Sequence, residues 1–189
     1  MLSQLALSLV DSSCPNIMHV SSNSLPPWEN KQIETNLTLR LLDKKTTPHY
    51  IIRSAYRELQ ASFCDFTEFH IDASKSEAGT GCAVVKSSSV IIRFSLPETY
   101  SILSSELYAI KLAINEIYNE NIRNSVIYTD SLSAIMSITN TFKKGIHPIA
   151  NEIIRTLNTL ENRIVFAWLF FSFLIILKIG DSFNIIPGW

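Results

Sequence analysis

Three carboxylates stand where a phosphate-handling metal centre would need them. Asp72 ends the segment FTEFHID, Glu106 lies inside SSELYAIKLAI, and Asp130 ends SVIYTD. Brought together, three such groups repel one another unless divalent cations neutralise them. Hard oxygen ligands beside water and phosphate suit Mg²⁺ or Mn²⁺. Each acid also has an ordinary structural use. Asp72 followed by Ala-Ser-Lys is good turn chemistry, and Asp130 ahead of SLSA is placed to cap a helix. Glu106 suits the first turn of a helix beginning near Ser104 or Ser105, where free amides and the helix dipole favour an acid.

The elements that must position these residues are legible from periodicity. FTEFHID reads as a strand and ASKSEAGT as a turn, and GCAVVK and SVIIRFSL form a strand pair, so an antiparallel meander of three strands is expected. Between Tyr100 and Glu120, apolar residues at 103, 107, 110, 114 and 117 mark one face of a helix. At about 100° per residue, Glu106 points between Ala113 and Ile117, inside that apolar stripe. A carboxylate held there is desolvated, at a cost of several kcal/mol unless a cation or strong donors compensate. SVIYTD then reads as strand, SLSAIMSITNTF and HPIANEIIRTLNTLEN as helices, and RIVFAW as strand. Strands that alternate with helices join a sheet in parallel. The expected fold is α/β: a five-stranded mixed sheet, three strands antiparallel and two parallel, flanked by helices. Parallel neighbours would bring Asp72 and Asp130 to one sheet edge, with the helix carrying Glu106 packed across it.

In order and sequence, these motifs resemble the type 1 ribonuclease H family, especially the copies carried by retrotransposons. FHIDASK resembles its first motif, with Ala73 where Gly is more usual. SSELYAIKLAI is similar to its helix motif with a metal-binding Glu, and SVIYTDSLSAI to its second strand motif. The segment from Pro26 to Ile51, with PPW and TTPHYI, is similar to the linker that precedes such domains. The resemblance spans residues 63–168 and implies hydrolysis of the RNA strand of RNA-DNA hybrids with two Mg²⁺ (or Mn²⁺) ions. Asp72 would bridge both ions, and Glu106 and Asp130 would each support one. Ser74, Lys75, Gly79 and Ser131 would contact the substrate. After RIVFAW the chain departs from the family: LFFSFLIILKIGDSFNIIPGW stands where a loop with Pro, His and Gly and a fourth acidic motif would follow. The acid nearest that fourth position is Asp181, 13 residues past Trp168. A second reading therefore stands beside the enzyme: a non-catalytic remnant of the fold that binds nucleic acid or protein.

Composition bounds the rest. A chain of 189 residues with 47% hydrophobic and 17% charged residues buries one ordinary core. The expected organisation is a linker-like segment over 1–62, the domain over 63–168 and an apolar tail over 169–189. A net charge of -1 gives no whole-molecule attraction to phosphates, so any nucleic acid contact must be a local patch. Cys14, Cys64 and Cys82 lack zinc or disulfide spacing. The amino end MLSQLALSLV has no basic region ahead of its apolar run, so the protein is expected in the nucleus or cytoplasm rather than secreted. The uncharged run from Ile164 to Leu177 is shorter than the roughly 20 residues of a spanning helix, so no membrane partner is expected. No stable protein partner is indicated. His147 before Pro148 reads as a turn residue at a helix start, and Lys143-Lys144 as helix-end charges.

Overall fold

The computed structural model describes residues 30–43, 45–77, 79–87, 89–140 and 147–169. They form a mixed sheet of six strands: β1 (Glu34–Asn36), β2 (Thr67–Ser76), β3 (Gly79–Lys86), β4 (Ser89–Leu96), β5 (Asn124–Thr129) and β6 (Arg163–Trp168). The strand order is β1-β6-β5-β2-β3-β4. Strands β2, β3 and β4 pair antiparallel as the meander predicts, and β5 and β6 join in parallel.

The sixth strand differs from expectation. Within the segment read as linker, Glu34–Asn36 adds to the sheet in parallel beyond β6. Three polar residues carry too little pattern to announce a strand. The exposed edge of β6 supplies the pairing, and the Arg163 guanidinium fixes its register through bonds of 2.9 to 3.2 Å to the Glu34 carboxylate. Lys31 adds a second tie by donating to the carbonyls of Leu160 and Asn162.

Helices cover both faces. On one lie α2 (Ile102–Asn119), α3 (Leu132–Thr139) and α4 (Pro148–Thr159). Their apolar stripes meet Phe69, Ile71, Ala73, Val84, Ile127 and Phe166 of the sheet in the main core. On the other, a 3₁₀ turn at Thr38–Leu41 and α1 (His49–Ala61) cover Val126, Tyr128, Val165 and Ala167. Strands β5 and β6 are buried on both faces, which is why SVIYT and IVFAW read as nearly continuous apolar runs. Strand β2 is divided: Phe69, Ile71 and Ala73 face the main core, while His70 stacks on Tyr128 of the opposite face, ring centroids 4.8 Å apart.

Among the described residues, no helix is long and apolar enough to cross a membrane. Asp181, Lys143, Lys144 and Cys14 lie outside the described residues, as does all of the apolar tail after Leu169.

Candidate metal centre

Register alone brings the two aspartates together. In the parallel pair, His70 of β2 stands beside Tyr128 of β5. Two residues farther along each strand come Asp72 and Asp130, at the edge where β5 ends and α3 is about to begin. Helix α2 packs across β2 and β3 and lowers Glu106 onto the same point. One carboxylate oxygen from each of Asp72, Glu106 and Asp130 lies within 4.8 Å of the others. Asp72 and Glu106 are buried, and Asp130 opens to solvent.

The ordinary structural uses of all three acids fall away. The cap of α3 is Ser131, not Asp130: its Oγ accepts from the Ala134 amide at 3.3 Å, and its own amide donates to Thr129 Oγ1 at 3.1 Å. The Asp130 side chain is therefore not spent on capping. Helix α2 begins at Ile102, capped by Ser101, whose Oγ accepts from the Ser104 amide at 3.1 Å. Glu106 lies past the first turn, beyond the free amides that would have explained it. Asp72 closes no turn, because β2 runs on to Ser76 and pairs with β3 throughout.

The electrostatics follow from that crowding. Burial pushes the Glu106 carboxyl up to about 9, with the Asp72 and Asp130 charges adding to the effect. Burial likewise raises Asp72 to about 7, with repulsion from Asp130 second. Asp130 is also raised, through the partial burial of its carboxyl. The Ala73 amide bonds to both Asp72 and Glu106 and offsets only part of this. No lysine or arginine pairs with any of the three among the described residues. Glu106 Oε2 is buried with no hydrogen-bond partner there. A buried acceptor without a donor costs about 1–3 kcal/mol, more when charged. A divalent cation held by the three carboxylates would satisfy that oxygen and remove the repulsion, so the donor set fits a hard metal ion.

Around the acids the structure shows supports that sequence reading missed. Trp168 Nε1 donates to the Asp130 carbonyl at 2.9 Å, and the Leu169 amide to the Thr129 carbonyl at 2.9 Å, so the end of β6 holds the backbone at Asp130. Lys75 Nζ donates to the carbonyls of Glu98 and Tyr100 at 2.8 and 2.7 Å. It ties the end of β2 to the segment leading into α2, a use that its sequence neighbours do not signal. His147 caps α4 through Nδ1, which accepts from the Ile149 amide, and its Nε2 meets Ser104 Oγ at 3.0 Å. It thereby links α4 to the first turn of α2. Of the other residues read as substrate contacts, Ser74 is half-buried on β2, and Gly79 opens β3 with a φ of +145°. Ser131 is engaged in the cap.

No family model matches the sequence, and no curated protein matches it either.

Proposed function

We propose that this protein is a metal-dependent endonuclease that hydrolyses the RNA strand of RNA-DNA hybrids. The observation that carries the reading is the convergence of Asp72, Glu106 and Asp130 at one edge of an α/β sheet, with no side-chain cation paired to them among the described residues. An acid trio of this kind is costly in a protein that never meets divalent ions. It is useful in one that places them against a phosphodiester.

The three carboxylates lie within 4.8 Å of one another; by the family resemblance Asp72 would be the shared ligand, with Glu106 and Asp130 as flanking ligands. Mg²⁺ or Mn²⁺ bound there would supply neutralisation of phosphate oxygens and a lowered pKa for coordinated water. The protein's own contribution is positioning. Burial and the Ala73 amide hold Asp72 and Glu106 on the sheet side, while Asp130, open to solvent, faces the direction from which substrate arrives. Ser74, Gly79 and the exposed side of Lys75 surround the end of β2 and are the proposed contacts to the substrate backbone. Preference for RNA would rest on 2′-hydroxyl contacts across the minor groove of the hybrid rather than on base sequence.

The test is cleavage of an end-labelled RNA-DNA hybrid in Mg²⁺, with Asp130→Asn beside the natural protein. The expected loss is at least a hundredfold, equivalent to roughly 3 kcal/mol of transition-state stabilisation. Equal rates for the two proteins, or no cleavage by either, would overturn the proposal.

A further inference from the structure

One flank of α1 carries His49, Arg53 and Arg57, each four residues from the last and all exposed. At that spacing they form one stripe along the helix. Glu58 is the helix's only acid, and its bond is to Ser54. Neither arginine pairs with an acid among the described residues. Helix stability does not explain the stripe. Like charges at four-residue spacing destabilise a helix, and Arg53 and Arg57 are such a pair. A polyanion lying along the stripe would reverse that penalty.

The direction of the helix decides where such a ligand would lead. Gln60 Nε2 bonds the Glu68 carboxylate at 3.1 and 3.3 Å. One turn earlier, Tyr56 meets Tyr128 edge-on, and Tyr128 stacks on His70. Tracing α1 backwards from Gln60 to Tyr56 thus traces β2 forwards from Glu68 to His70, so the helix runs antiparallel to β2 and β5. At about 1.5 Å per residue, His49 lies roughly 10 Å beyond Tyr56. At about 3.3 Å per residue, Asp72 and Asp130 lie roughly 7 Å beyond His70 and Tyr128. The stripe therefore climbs the far face of the sheet to the level of the metal centre. Tyr50, 73% exposed, stands at its upper end with a ring free to stack on a base or sugar.

We propose that His49, Arg53 and Arg57 of α1 form a second phosphate-binding track, which takes the backbone of the nucleic acid beyond the segment held at the carboxylates. This rests on the nuclease reading for the identity of the polyanion. An anionic membrane is the competing partner for a basic helix, but the apolar side of α1, with Tyr56 and Leu59, is buried against the sheet and unavailable for insertion.

The experiment measures equilibrium binding of an RNA-DNA hybrid with Ca²⁺ replacing Mg²⁺, so that affinity is read apart from cleavage, across 50 to 200 mM salt. Removing two phosphate contacts in Arg53→Gln/Arg57→Gln should lower the slope of log affinity against log salt by about two. The salt-driven loss of affinity over that range then shrinks by roughly tenfold. Arg53→Lys/Arg57→Lys, which keeps both charges, should retain the slope. Far-UV circular dichroism and the unfolding midpoint confirm that both variants fold. The proposal is overturned if the glutamine pair leaves the slope unchanged, if the lysine pair loses as much as the glutamine pair, or if the natural protein does not bind the hybrid. It is also overturned if only binding to phosphatidylserine vesicles depends on the arginines. Stripe-dependent binding without cleavage in Mg²⁺ would refute the nuclease reading and leave the track standing.

Discussion

Glu106 and Asp72 hold protons that they would give up in an unfolded chain, and this makes the stability of the metal-free protein fall as pH rises. Their folded pKa values, about 9 and about 7, lie above ordinary carboxylate values of 4.5 and 3.8. Between about pH 5 and 7 the native state keeps both protons and the unfolded state keeps neither. Stability then declines by up to about 3 kcal/mol per pH unit, one increment of about 1.4 for each proton. From about pH 7 to 9 only Glu106 still differs, and the decline halves. The stabilisation relative to the ionised site is fully present below the unfolded values and is gone above the folded ones. Glu106→Gln removes one proton from this linkage, so its stability should fall less steeply from pH 5 to 7 and level off above 7. Urea unfolding in EDTA at pH 5, 6, 7, 8 and 9, for both proteins, reads the slopes directly. Stability that is flat or rising over this range, with the same profile in Glu106→Gln, would refute the reasoning.

Other outcomes follow from the same geometry. Adding Mg²⁺ at about a hundredfold over its dissociation constant should raise stability by about 2.7 kcal/mol, seen as a thermal shift of several degrees that Asp72→Asn abolishes. Trp168→Phe removes the donor to the Asp130 carbonyl and should cost about 1 kcal/mol in urea unfolding, with Mn²⁺ affinity weakened as Asp130 loosens. Lys75→Met frees the Glu98 and Tyr100 carbonyls and should reduce stability by roughly 1 kcal/mol. Hydrogen exchange should quicken in the first turn of α2. Tyr128→Phe deletes a buried hydroxyl that has no hydrogen-bond partner among the described residues, so its unfolding midpoint should stay level or rise.

Much of the arrangement was legible because strong periodicity and register carry it. The stripe of α2 at 103, 107, 110, 114 and 117 placed Glu106 against the sheet. The alternation of strands with helices made β5 a parallel neighbour of β2, which is enough to bring Asp72 and Asp130 together. What escaped was of two kinds. β1 is a strand only because β6 offers an edge, so its three residues hold no signal of their own. The positions of caps and ties depend on where an element starts within one or two residues, a shift that periodicity does not resolve. That is why capping falls to Ser131 rather than Asp130, and why Glu106 lies past the first turn of α2 rather than within it. The same limit hides the tie that Lys75 makes to the carbonyls of Glu98 and Tyr100.

The most direct test of the metal centre is anomalous diffraction from crystals soaked in Mn²⁺. The arrangement of acids requires a peak within coordinating distance of Asp72, Glu106 and Asp130, lost in crystals of Asp72→Asn. An absence of density among the three carboxylates at saturating Mn²⁺, with the side chains ordered, would contradict it.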